Sequence, residues 1–215
     1  MIPLLTSILT ITIAAGTSLV YATIGEIYTE RSGILNLGIE GMLLMGAVTA
    51  FATAYHTGSL ALSILFAMLV GMVLSFVHAF LSVTMRANQV VSGLSITLFG
   101  TGFASFVGQR LGPESNNRYL TGLSAEKFTP VEIPGLSEIP ILGALFSQDV
   151  MTYFVYLLVP AAWFFLYRTK YGLNLRAVGE NPQTADAMGV SVAKQRYLYT
   201  IFGGLLVGIG GAHLS

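Results

Sequence analysis

The chain has 215 residues, of which 54% are hydrophobic and 9% charged, with ten basic and ten acidic side chains and no cysteine. A soluble domain carries about 25% charge, so so few charges cannot clothe a soluble protein of this size, and no basic stripe exists to neutralise nucleic-acid phosphates. Disulfides, thiolate catalysis and Cys-ligated metals are excluded by composition alone.

The pattern along the chain points to a membrane, in keeping with a mean hydropathy of +0.74. The N-terminus lacks the basic stretch of a cleaved signal, and its apolar run is longer than a signal's. Leu4 to Ile24 therefore reads as a retained first span. It is rich in hydroxyls (Thr6, Ser7, Thr10, Thr12, Thr17, Ser18, Thr23), which suit helix packing or a polar path. A polar joint is expected over Gly25 to Ser32. Between Arg31 and Arg86 the one charged residue is Glu40. At roughly 20 apolar residues per crossing, that interval holds two spans, Gly33 to Tyr55 and Leu60 to Met85. The second carries Ser63, Ala67, Gly71, Ser75 and Ala79 at four-residue spacing, a strip of small side chains that predicts a close helix–helix contact. A fourth span runs from Gln89 to Gly108, and Gly93, Gly100 and Gly102 suggest a bend or break in it. Residues 110–149, with Pro113, Pro130, Pro134 and Pro140, read as a loop domain with a short helix at Ile141 to Phe146. A fifth span covers Val150 to Tyr167, with Pro160 as an expected kink. Residues 168–197 are polar again. A sixth span starts near Leu198 and is still running at Ser215, with Gly203, Gly204, Gly208, Gly210 and Gly211 inside it. The expectation is one all-α polytopic transmembrane helix bundle of about six spans over residues 1–215, cut short at its C-terminus.

Basic residues orient such a bundle. Arg31, Arg86, Arg168, Lys170, Arg176, Lys194 and Arg196 fall on one side, and Arg110, Arg118 and Lys127 on the other. The richer side is read as cytoplasmic. The N-terminus and the 110–149 loop are then extracytoplasmic, and 168–197 is a cytoplasmic loop.

Three places could carry function. Glu40 is a carboxylate within a span, and such groups face protein or water rather than lipid. Either it has a structural partner such as Asn36, or Asn36 and Glu40 line a polar path through irregular backbone allowed by Gly33, Gly38 and Gly41. Asn88, Gln89 and Ser92 open the fourth span, where Asn88 suits a helix cap and all three suit contact with a neutral polar substrate. In the 168–197 loop, Gly179-Glu180-Asn181-Pro182 reads as a turn. A short helix follows, with Asn181 as N-cap, Pro182 at the first helical position and Gly189 as the stop. This helix is either a docking element or a plain connector. No Gly-rich phosphate loop ending in Lys-Ser/Thr is present. The three histidines lie on different spans without ligand spacing, and no Ser/His/Asp set is evident.

Three stretches also resemble a known family. Residues 30–42, ERSGILNLGIEGM, resemble the ERSGxLNLGxEGMM signature of ABC-importer permeases for nucleosides and simple sugars. Residues 174–182, NLRAVGENP, with Ala185 and Gly189, resemble that family's LRAxGENPxAAxxxGI cytoplasmic loop. Residues 88–93, NQVVSG, resemble its NxVVSG. The likeness to branched-chain amino-acid permeases of the same superfamily is looser. Thr184 departs from the usual alanine, and family members are longer. The resemblance implies a transport subunit without its own ATPase site or cofactor, in the cytoplasmic membrane. It implies as partners two cytoplasmic ABC ATPase subunits, a second permease subunit in a heterodimer, and an extracytoplasmic substrate-binding lipoprotein. It makes Gly179, Glu180, Asn181, Pro182, Ala185, Asp186 and Gly189 the ATPase-coupling helix. Asn36, Glu40, Asn88, Gln89 and Ser92 are expected beside the substrate pathway. The alternatives are a branched-chain amino-acid permease and an ion-coupled secondary transporter using Glu40.

Overall fold

A computed structural model describes residues 2–111, 128–137, 139 and 141–215. The part of the expected loop over 112–127, with Pro113, Arg118 and Lys127, lies outside the described residues, as does Pro140. The described residues form eight helices: α1 (Ile2–Arg31), α2 (Ile39–Thr57), α3 (Leu60–Ala79), α4 (Gln89–Leu111), α5 (Val150–Arg168), α6 (Lys170–Glu180), α7 (Pro182–Ala187) and α8 (Val192–Leu214). A two-residue antiparallel ribbon pairs Val131–Glu132 with Ser147–Gln148. Five helices, α1, α3, α4, α5 and α8, are long and apolar enough to cross a bilayer. The chain is a multi-pass membrane protein. The remaining expected span is α2, which is diluted by Glu40 and His56 and is not among the five.

The helix bounds correct the sequence reading in several places. The expected joint over 25–32 is helical as far as Arg31, because Glu26, Glu30 and Arg31 are adequate helix formers. The second span does not begin at Gly33, since α2 starts only at Ile39. The glycines of α4 do not break it. Residues 170–180 form a true helix, and α8 starts at Val192, six residues before the expected Leu198. The expected helix at 141–146 is a single 3-10 turn, Leu142–Leu145.

The centre of the bundle is α8. Its most extensive contacts are with α3 and α1, then α2. Each contact is a glycine contact. A Cβ on Gly25 of α1 would lie 2.5 Å from the Gly203 carbonyl oxygen, and one on Gly211 would lie 2.5 Å from that of Leu43 on α2. The predicted small-residue strip of α3 is buried against the same helix. Gly71 and Ser75 abut Gly204, and the Ala67 carbonyl abuts Gly208. In lipid, such backbone approach supplies much of the association energy. The expected uses, packing and a polar path, do not cover all the hydroxyls of α1. Thr12 and Thr23 donate to carbonyls four residues back, at 2.8 and 2.7 Å, and stay exposed.

Thr17 and Ser18 are buried and join a network at the end of the bundle where α1 begins. Asp149 caps α5, accepting from the amides of Met151 (2.8 Å) and Thr152 (3.0 Å). The Thr152 hydroxyl donates to Asp149 Oδ2 at 2.9 Å and meets Thr17 Oγ1 at 3.0 Å. His213 of α8 lies between Asp149 Oδ2 and Ser18 Oγ, 3.0 Å from each. The fold thus assembles a Ser/His/Asp row that the sequence does not announce. Ser18 is 1% exposed and its hydroxyl is already engaged by His213, so the row acts as a tie between α1, α5 and α8.

Burial opposes ionisation of Asp149, which lies just outside the α5 span. The His213 contact and the Thr152 amide outweigh burial and hold the carboxyl down at about 2, below its ordinary 3.8. A carboxyl with a lowered native pKa contributes stability that is present above pH ~4 and lost as pH falls towards ~2. The detergent-solubilised chain should therefore lose unfolding midpoint across that window. Asp149→Asn should start lower and lose less, as read by denaturation at stepped pH. An identical acid-induced loss in the variant would contradict this role for Asp149.

Candidate functional site

Between α1 and α2 the chain runs without helix from Ser32 to Gly38, then starts α2 with its first turn packed on α4. Non-helical backbone among membrane helices must have its polar groups satisfied by protein or by a water-filled cavity. Here side chains from four helices do this. From α1, Glu26 Oε1 accepts from the Asn36 amide at 3.1 Å. From α3, His78 Nε2 lies 3.1 Å from the Leu35 carbonyl. From α4, Gln89 Oε1 accepts from the Leu35 amide at 2.8 Å, and Thr97 donates to the Leu37 carbonyl at 2.7 Å. From α8, Arg196 Nε donates to the Ser32 carbonyl at 3.3 Å. The segment also closes on itself, because Asn36 Oδ1 accepts from the Gly38 amide at 2.9 Å. A carbonyl only accepts, so a neutral His78 carries its proton on Nε2. Its Nδ1 then accepts from Ser92 Oγ, 3.0 Å away.

Close backbone contact makes this possible. A Cβ on Gly93 would lie 2.7 Å from the Leu37 nitrogen, and one on Gly41 would lie 2.5 Å from the Ile96 carbonyl oxygen. The α4 glycines are thus the seat of the unwound segment rather than a break in α4.

At the other end of the segment lies the α6–α7 corner. Asn181 caps α7, its Oδ1 accepting from the Thr184 amide at 3.0 Å, and Pro182 takes the first helical position. Ala185 is buried, whereas Glu180, Asp186 and Met188 are exposed. Gly189 has φ +83° and stops the turn, with its amide donating to the Asp186 carbonyl at 2.8 Å. Gly179 packs against the Arg31 carbonyl, leaving no room for a side chain, and Arg196 reaches past Gly33 to Ser32. The corner is therefore wedged directly onto the start of the unwound segment.

The structure brings Asn36, Gln89 and Ser92 together but not Glu40 and Asn88. Asn88 is a cap, its Oδ1 accepting from the amides of Val90 and Val91 at 2.9 and 3.3 Å. Glu40 sits in the first turn of α2, exposed on the outer surface of the chain. Asn36 does not pair with it.

The model of the family described as branched-chain amino acid transport system / permease component matches residues 7–215. The chain belongs to this family. Three curated relatives are similar over nearly the whole chain. One, in Haloferax volcanii, is named as a candidate glucose ABC transporter permease, TsgC13, and is 44% identical over 97% of this chain. The guanosine ABC transporter permease NupQ of Bacillus subtilis is 34% identical over 98%, and the nucleoside ABC transporter permease NupC of Lactococcus lactis is 36% identical over 91%. The chain spans 62%, 67% and 63% of the lengths of these three proteins. No solved structure matches it.

In this permease-family chain Glu26, His78 and Thr97 belong to the site although the sequence pattern does not single them out. The sequence places Glu26 in a polar joint, yet its Oε2 is buried and has no hydrogen-bond partner among the described residues. The available signal was a carboxylate one turn before ERSG, ahead of a glycine-rich stretch. His78→Leu would leave the Leu35 carbonyl and the Ser92 hydroxyl without this partner. It should cost about 1–3 kcal/mol, read as a lowered unfolding midpoint, with protease sensitivity rising between residues 32 and 38. Unchanged protection of that segment would show that His78 does not hold it.

Proposed function

We propose that the chain is the membrane-spanning part of a permease subunit of an ATP-binding-cassette importer for a nucleoside or simple sugar. The observation that carries this reading is the family match over residues 7–215, with relatives named for guanosine, nucleosides and glucose. In this reading the α7 end is cytoplasmic and the start of α1 extracytoplasmic. ATP hydrolysis belongs to partner subunits that grip α7, a second permease subunit completes the pathway, and a binding lipoprotein delivers substrate from outside. α7 presents an exposed polar face, which a docking helix needs.

The geometry suggests how force would travel. A push on α7 acts on Gly179, which bears on the Arg31 carbonyl, and Arg196 grips Ser32. The unwound segment would then shift against α4, carrying the exposed Leu35 and Leu37 and the start of α2. Gln89 and Ser92 act here mainly by holding that segment, and substrate would pass the face it presents. Glu40 stands on that outer face. A carboxylate near membrane depth needs protein or water beside it, so its exposure in one subunit suits a pathway or contact shared with a second. An ion-coupled carrier built on Glu40 gains no comparable support.

Uptake of labelled guanosine and glucose in cells carrying the partner ATPase tests the reading. Glu180→Ala and Gly189→Val, the latter forcing a β-branched residue to φ +83°, should cut ATP-dependent uptake by about tenfold or more while membrane insertion stays normal. Full uptake in both variants would sink the docking role.

A further inference from the structure

Beside the α6–α7 corner lies an open cleft of ≈ 700 Å³, whose polar lining includes Ser82, Arg86, Gln89, Asp186, Ser191 and Arg196. Four elements form its walls: the turn after α3, the start of α4, α7, and the first turn of α8. Four features of it are unexplained by either the unwound segment or docking through α7.

The first is the chain path after α3. Residues Phe80–Thr84 wind as a π-helical turn, with the Met85 amide donating to the Phe80 carbonyl at 3.0 Å. Such turns recur at functional sites. Arg86 then takes φ +54°, a region uncommon for residues other than glycine. The second feature is Ser82, inside that turn and on the cleft wall. It is 8% exposed, and its Oγ has no hydrogen-bond partner among the described residues. Other hydroxyls in these helices, such as Thr101 and Ser105, donate to a carbonyl four residues back, both at 2.8 Å. Ser82 leaves a buried donor waiting, which native structures rarely tolerate. The third feature is charge. Among the described residues the one ion pair is His213–Asp149, so neither cleft arginine is within 4.0 Å of a carboxylate. Arg196 spends its Nε on Ser32, leaving its terminal nitrogens. Asp186 opposes two guanidiniums with one carboxylate, leaving the wall positive. Finally, α8 opens on this cleft with no side-chain cap, and its first ladder bond is from the Gln195 amide to Ser191. The preceding amides are left for a ligand or water.

We propose that this cleft binds a phosphate group, held by Arg86, Arg196, the Ser82 hydroxyl and the open amides of α8. A tetrahedral oxyanion has acceptors enough for donors from all three elements, and arginine forks match it. The proposal does not depend on the importer reading. Bound phosphate would bridge the turn after α3 to the start of α8, next to α7. Its source is either a soluble phosphate or a phospholipid headgroup.

The full chain in nanodiscs of phosphatidylcholine is titrated with inorganic phosphate while thermal unfolding is followed. Parallel nanodiscs contain phosphatidylglycerol, and native mass spectrometry counts the lipids retained. Saturable stabilisation by phosphate in the first discs identifies a soluble source. Selective retention of phosphatidylglycerol, displaced by added phosphate, identifies a headgroup. In either case Arg86→Asn, which tolerates the same backbone conformation, and Ser82→Ala should each weaken binding by about tenfold, whereas Lys170→Gln should not. Folding of each variant is checked by its unliganded unfolding midpoint. Absence of both saturable stabilisation and selective retention overturns the proposal, as does wild-type affinity in the two cleft variants.

Discussion

A helix that lacks side chains on several faces can be approached by several neighbours at backbone distance, and α8 is such a helix. Gly203, Gly204, Gly208, Gly210 and Gly211 leave its surface open towards α1, α2 and α3 at once. Lipid offers little hydrophobic gain when one apolar helix covers another. What holds this bundle is therefore van der Waals contact between backbones, and that contact tolerates no added methyl group where a Cβ would overlap a carbonyl. The other helices take their places from it. The strip on α3 lies against Gly204 and Gly208, and Gly25 fixes the height of α1 through Gly203.

With α1 and α3 fixed on α8, the unwound segment has a rigid frame to hang from. Glu26 is one residue from the Gly25 contact, and His78 is one turn beyond Ser75. Their hydrogen bonds to residues 35 and 36 are thus set by the same packing that builds the core. The segment is well satisfied but stitched by side chains rather than by a helical ladder. Side-chain bonds at its edge, to Gln89 and Arg196, can rearrange without melting a helix. That makes it the natural moving part of the proposed mechanism, with α7 as its handle.

Some of this was legible in the sequence. Apolar length gave the membrane class, four-residue spacing gave the α3 strip, and Asn181, Pro182 and Gly189 gave the α7 cap and stop, because each depends on local chemistry. The partners of Gln89 and Ser92 were not legible, since these residues are engaged by groups 54 and 14 residues away in sequence. Glu26 reads as part of a joint because charge at a span's end normally marks a loop, whereas here the helix runs on for another turn. His78 carried no signal either, as a lone histidine on an apolar helix shows its partner only once α4 is packed. The role of the α4 glycines was inverted for the same reason: glycine marks either a break or a close approach, and only the neighbour decides.

If α8 organises the bundle through its glycine faces, Gly204→Leu and Gly102→Leu should differ in unfolding of the chain reconstituted in lipid. Gly204 is pressed against α3, whereas a Cβ at Gly102 meets no neighbouring atom within 4 Å. Gly204→Leu should lose about 1–3 kcal/mol or more, in line with overpacking of a close contact, and Gly102→Leu should keep near wild-type stability. Equal stability of the two variants would contradict that role of α8.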